Sequence, residues 1–160
     1  MRRFSKLKKR IEELFSPDLD MEVHCTVYRK KTSRTILKLP RLWITLNGEI
    51  IFDFIKDFKG VRASHLVHYI DNTSAMVDFP IIHLDILFIT DMIQEYIETP
   101  VNKLLDHVLS KDYYGLSDIL KAADRRIGKQ RLLLLRDRTE NEAAKKIIDT
   151  RLANKIKSKH

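Results

Sequence analysis

Leu42-Trp43-Ile44-Thr45-Leu46, Asn47-Gly48, Glu49-Ile50-Ile51-Phe52-Asp53 is the stretch on which the fold turns. Two runs of β-forming residues flank a two-residue Asn-Gly step, and that step selects a type I′ turn with positive φ at both central residues. The turn predicts a register in which Trp43 faces Phe52 and Ile44 faces Ile51. Both faces of the hairpin are then partly apolar, so a sheet covered on both sides by helices from the two ends of the chain is expected.

Moving toward the N-terminus, Met21, Val23, Cys25 and Val27 alternate with Glu22, His24, Thr26 and Tyr28, the period of a half-buried strand. Ile36 to Leu39 reads as a short second strand, reached through a basic turn from Arg29 to Arg34. Phe4, Leu7, Ile11, Leu14 and Phe15 recur at three- and four-residue steps and predict an amphipathic helix over about 3–15. Arg2, Lys6, Lys9 and Arg10 fall off that stripe. A basic cluster there opposes the helix macrodipole, so local stability does not account for it. Ser16-Pro17-Asp18 ends the helix.

Toward the C-terminus, His65 to Ile70 fits a strand or a short helix, and Asp71-Asn72-Thr73-Ser74 is a loop signal. Ile86, Ile89, Ile93 and Ile97 predict a helix from about Asp85 to Glu98. Thr99-Pro100 is an N-cap and first-turn proline for a helix burying Val101, Leu104, Leu105, Val108 and Leu109. Ser117 caps a helix carrying Ile119, Leu120, Ala123 and Ile127, which Gly128 terminates. Leu132 to Leu135 continue the helical pattern, and Thr139 with Glu142 forms a capping box for a last helix carrying Ala144, Ile147, Ile148 and Leu152. The expected architecture is a single α+β domain over residues 1–154, with a polar tail at 155–160. It comprises an N-terminal helix, a small antiparallel sheet with an Asn-Gly hairpin, and a helical C-terminal half.

Composition bounds the function. With 160 residues, 44% hydrophobic and 32% charged, the chain has material for a core and is not of disordered type. Its single cysteine, Cys25, excludes an internal disulfide and a Cys-rich zinc site, which fits a reducing cytoplasm. The most apolar region, Ile81 to Ile89, is broken by His83 and Asp85, so no membrane span is expected. Met1 to Arg10 is followed by Ile11-Glu12-Glu13 rather than an apolar segment, so no export signal is expected either. The net charge of +8 is uneven: residues 1–10 carry +6, residues 61–120 carry −6 and residues 121–160 carry +8. Basic ends around an acidic middle either polarise the surface or neutralise one another by docking.

Enzyme signals are sparse. His65, His68 and Asp71 are spaced for one side of a helix, and His83 with Asp85 adds a second pair. Yet no zinc-protease, P-loop, dinucleotide or nucleophile-elbow motif occurs, and the Arg62-to-His68 spacing is at the level of chance. Solvated or hydrogen-bonded histidines are the simpler reading, so no catalytic residue, metal ligand or cofactor is assigned. Cys25 and His24 are strand neighbours on opposite faces, which argues against a nucleophile–base pair and for Cys25 as a small buried hydrophobe.

The sharper feature is basic. Lys121, Arg125 and Lys129 follow a four-residue step and align if one helix runs through Gly128, with Arg126 and Arg131 beside them. Together with Arg2, Arg3, Lys6 and Lys9 they form a candidate nucleic-acid-binding set, because guanidinium and ammonium groups suit phosphate oxygens. Against it stand Asp118 and Asp124 as internal partners, and the absence of aromatic residues for base stacking. A third reading is a helical protein interface or homodimer. Asp85, Asp91, Glu95, Glu98, Asp106 and Asp112 decorate the middle helices, and the four-leucine run needs either a core on both sides or a mating surface.

Arg2-Arg3-Phe4-Ser5-Lys6-Leu7-Lys8-Lys9, His24-Cys25-Thr26-Val27-Tyr28-Arg29, the Leu42–Leu46 strand and Ala122-Ala123-Asp124-Arg125-Arg126-Ile127-Gly128-Lys129 resemble a family of small uncharacterised bacterial proteins. The resemblance spans nearly the whole chain. It implies a bacterial origin and a single domain, and since that family has no assigned activity it transfers no catalytic residue. The functional expectation is therefore a non-enzymatic cytoplasmic binding protein for nucleic acid or another anionic partner. The alternative is a protein–protein interaction or oligomerisation module of accessory or immunity type.

Overall fold

In the computed structural model the elements run α1 (Phe4–Glu12), β1 (Met21–Lys31), β2 (Ile36–Leu46), β3 (Glu49–Asp53), β4 (Val67–Ile70), β5 (Met76–Phe79), α2 (Ile86–Glu98), α3 (Leu116–Ala123), α4 (Lys129–Arg138) and α5 (Glu142–Lys157). The structure describes residues 4–31, 36–54, 67–70, 76–79, 86–110, 112 and 115–157. A helix, a three-stranded antiparallel sheet ordered β1-β2-β3 and a helical second half make an α+β protein. β4 and β5 pair as a separate two-stranded sheet.

α1 forms on the stripe read from the sequence: Leu7 and Ile11, one turn apart, are fully buried. It closes earlier than expected because Leu14 and Phe15 take three-residue bonds, Leu14 N–H to Ile11 O (3.0 Å) and Phe15 N–H to Glu12 O (3.1 Å), which tighten the last turn. The Glu12 carboxylate accepts the Val23 N–H (2.9 Å), tying the helix to the free edge of β1.

In the sheet, Met21, Val23, Leu42, Ile44, Leu46 and Phe52 are buried and share the core face. α1 packs on β1 and α2 on β2, and Ile89, Met92, Ile93 and Tyr96 of α2 lie buried. Asn47 and Gly48 have φ of 51° and 79°, and Leu46 faces Glu49 across them. The expected register slips beyond Thr45, because a bulge at Ile51 places Ile44 opposite Phe52 and Trp43 opposite Asp53. The slip puts Ile44 and Phe52 together in the core. β2 is also one eleven-residue strand, not the two expected. Pro40 interrupts nothing, since its partner Val27 belongs to the non-bonded set whose N–H groups point away from β2, as Val23 shows.

α2 runs over the expected span, and beyond it the helical half departs from expectation at several boundaries. Thr99 does not cap a new helix. Its hydroxyl donates back to Glu95 O (2.8 Å), and residues 101–106 form turns whose carbonyls serve elsewhere, Val101 O to Arg131 and Leu105 O to Lys121. Val101 and Val108 consequently lie exposed. The first amides of α3 are satisfied by Asp112, whose carboxylate accepts the Leu116 and Ser117 N–H groups (both 2.9 Å), so Ser117 is not the cap. α3 stops at Ala123 because Asp124 turns extended (ψ 119°), and Gly128 starts α4 rather than ending α3. Asn141, not Thr139, caps α5 through its side-chain oxygen on the Ala144 N–H (3.1 Å). The Thr139 hydroxyl is committed to Asp118 (2.6 Å). Within α4, Leu132 and Leu135 are buried while Leu133 and Leu134 are exposed, so the helix is not sandwiched. Among the described residues no helix is long and apolar enough to cross a membrane.

Candidate functional site

Because α3 ends at Ala123, residues 124–128 form a loop, and the helical alignment of Lys121, Arg125 and Lys129 does not exist. Each cation goes its own way. Lys121 is 3% exposed, and its ammonium donates to Leu105 O (3.0 Å) and lies 4.0 Å from Asp118. Burial lowers its pKa, opposed by Asp118, Asp106 and Asp112. Arg126 grips Asp124 with Nε–Oδ1 at 3.0 Å and Nη2–Oδ2 at 2.7 Å, and that bond raises the guanidinium pKa further. Neither side chain is available to a phosphate. These two members of the sequence-derived set are withdrawn, for the reason already visible as a risk: carboxylates stand beside them.

The loop itself is over-determined. Asp124 is fully buried and also accepts the Tyr96 hydroxyl (2.8 Å), whose pKa is driven up by burial and then by the carboxylate. From α5, Arg151, 2% exposed, donates to Ala122 O (2.8 Å), Asp124 O (3.0 Å) and Ile127 O (3.1 Å). Nothing in the sequence pattern marked Arg151, which occupies a buried-face position of α5 with Ala144, Ile147 and Ile148.

This rigid loop presents Arg125. The Arg125 N–H donates to Leu14 O (2.8 Å) and the Ser16 N–H to Ala123 O (2.7 Å), an antiparallel bridge joining Phe15 to Asp124. Arg125 is exposed, with its backbone bonded two residues past the end of α1, and Arg10 in the last turn of that helix is an exposed cation the sequence-derived set omitted. Lys6 and Lys9 are exposed on the same helix, while Arg2 and Arg3 lie outside the described residues. Lys129 is exposed at the start of α4, whose N-terminus has no side-chain cap and no acid in its first turn. Arg131 is half-buried and donates to Val101 O (3.1 Å). Among the described residues, none of Lys6, Lys9, Arg10, Arg125 and Lys129 has a carboxylate partner.

A second constellation, also missed, crosses the outer face of the sheet. His24 stacks on Trp43 directly across the ladder (5.1 Å, 13°), and Arg41 lies 5.1 Å over the same indole while binding Asp53 (2.6 Å). His24 Nε2 is 3.0 Å from Thr45 Oγ1. The alternation of β1 and β2 was enough to pair these positions, but the bulge that delivers Asp53 to Trp43 left no signal.

His65, Asp71, His83 and Asp85 lie outside the described residues, and His68 sits on β4. Among the described residues no cluster of three His, Cys, Asp or Glu side chains suits a metal ion. Cys25 is half-buried, and burial pushes its thiol up to about 11, far from a thiolate nucleophile. Glu95 binds His107 Nε2 (2.9 Å) and the Ser110 N–H (3.1 Å) separately, which pins the 107–110 loop to α2 without forming a relay.

No curated protein and no solved structure matches this chain. A family model does, over residues 3–152, a span that takes in α1, the sheet and the helical half as far as Leu152, and on that match the chain belongs to the SF0329 protein family.

Proposed function

We propose that this chain is a non-enzymatic binding protein whose partner is nucleic acid or another polyanion. The observation that carries the reading is the bridge between Phe15 and Asp124, which ties the loop carrying Arg125 to the chain just past the basic helix α1. The bridge joins two segments that each carry exposed cations, and among the described residues Lys6, Lys9, Arg10, Arg125 and Lys129 make no ion pair with a carboxylate. The uncapped N-terminus of α4 adds unsatisfied amide donors beside Lys129. The loop is held by buried groups, so the backbone at Arg125 loses little further freedom on binding.

The pair Arg125→Glu and Lys129→Glu tests it. Affinity for a short DNA duplex is expected to fall at least about tenfold at roughly 100 mM salt, with the melting temperature unchanged, because neither side chain packs in the core. Equal affinity in wild type and variant rejects this surface. Arg126 is left intact in the test, since reversing it would unseat Asp124.

One observation favours the interaction-module reading: Leu133 and Leu134 are 41% and 48% exposed, and Val101, at 42%, is held beside α4 by Arg131. Light scattering across a concentration series then gives a mass above 18.9 kDa. A constant monomer mass counts against self-association.

A further inference from the structure

On α4 the face turned away from the core carries Gln130, Leu133, Leu134 and Asp137, all exposed, while Leu132 and Leu135 are buried behind them. At about 100° per residue, Leu133 and Leu134 flank a line that runs down the helix from Gln130 to Asp137. Lys129 lies about a quarter turn off that line on one side. Arg138, committed to Asp106 (3.0 Å), lies about a quarter turn off on the other. Among the described residues neither Gln130 nor Asp137 makes a side-chain hydrogen bond or an ion pair. Val101, its carbonyl bonded by Arg131, adds exposed apolar surface beside the helix.

The order of charge along this face says what covers it. α4 has no acid in its first turn and carries Asp137 in its last, where a carboxylate opposes the helix macrodipole. That placement costs a lone helix. It is favourable beside a second copy of α4 running antiparallel. Residue 130 of each copy then meets residue 137 of the other, Leu133 meets Leu134, and each Asp137 comes toward the positive end of the facing helix. The face is its own complement about a two-fold axis between Leu133 and Leu134.

We propose that α4 is the seam of a homodimer, two copies of this chain packing antiparallel with the Gln130 amide of each donating to Asp137 of the other. The inference rests on the interaction-module reading above and adds to it the partner, the symmetry and the register. A seam built on one ten-residue helix per copy is at the small end of protein interfaces, so association is weak and concentration-dependent. Lys129, on the flank, is not consumed by the seam and stays open to a polyanion.

Sedimentation equilibrium of the full chain from about 1 μM to about 1 mM tests it. The wild-type mass is expected to climb from 18.9 kDa toward twice that value. Leu134→Glu abolishes the climb and leaves the melting temperature unchanged, because that leucine is exposed. Gln130→Glu sets like charges across the axis, and Asp137→Lys brings a cation to the positive helix end. Each is expected to weaken the dimer at least about fivefold, and the two together to restore it, since the new carboxylate then faces the new ammonium. Within one helix these positions are about 10 Å apart, so rescue reports contact between copies. Association lost in Leu134→Glu but with no mutual rescue overturns the antiparallel register. Association indifferent to all three replacements overturns the seam while self-association stands. A monomer mass at every concentration overturns the second copy as occupant and leaves this face to an unlike protein.

Discussion

Replacing Asp124 by asparagine is expected to destabilise the protein by about 3 kcal/mol or more, the cost of breaking a buried ion pair from one side. The carboxylate is fully buried and serves three groups at once: the Tyr96 hydroxyl, the Arg126 guanidinium and the Arg126 backbone N–H at 2.9 Å. It also supplies negative charge near Arg151, a buried guanidinium that touches only carbonyl oxygens. Asparagine keeps the shape but turns one acceptor into a donor facing donors, and leaves two cations uncompensated. For a chain of this size the loss corresponds to a melting temperature lower by roughly 10 °C. Tyr96→Phe, which removes one bond and no charge, is expected to cost only about 1 kcal/mol. Urea unfolding of both variants checks the contrast. Equal, small effects would mean that the network is not what holds the loop.

Arg151→Met is the second large effect, expected at about 2–4 kcal/mol in the same measurement. Its guanidinium spans three carbonyls, those of Ala122, Asp124 and Ile127, and each loses this donor when the fork is removed, although Asp124 O keeps the Ile127 N–H (3.1 Å). Some of the loss is offset, because burial pushes the Arg151 pKa down and methionine carries no such desolvation cost. Lysine restores the charge but not the fork, so Arg151→Lys should recover less than half of the stability. Hydrogen exchange adds a local readout: the Arg125 and Ser16 amides, bonded across the bridge, should lose protection in Arg151→Met more than the β1–β2 amides do. Loss spread evenly over the chain would contradict a loop-specific clamp.

Much of the architecture was legible because hydrophobic period is a local property. The three- and four-residue steps of α1 and α2, and the alternation of β1, needed no partner to be read. What failed was decided by groups distant in sequence. The turn after Pro100 gives two carbonyls to Lys121 and Arg131, and the cap of α3 comes from Asp112, so neither boundary had a local signature. The bulge at Ile51 moved one strand by one residue and changed who faces Trp43. For the candidate surface the division is the same. Arg125 and Lys129 were named from the sequence and remain exposed, while Lys121 and Arg126 were lost to Leu105 O and Asp124. Arg10 was read with the basic cluster of the first helix but left out of the candidate binding set, and it too is exposed.

The central claim is that cations on α1, at Arg125 and at Lys129 act together on a polyanion. The most direct measurement is the affinity of the wild-type chain for a mixed-sequence DNA duplex as salt is raised from about 50 to about 200 mM. Engagement of the five cations that make no ion pair among the described residues predicts a log–log slope of about −4 or steeper and a loss of several hundredfold over that range. Affinity that ignores salt, or no binding at the low end, would contradict the account.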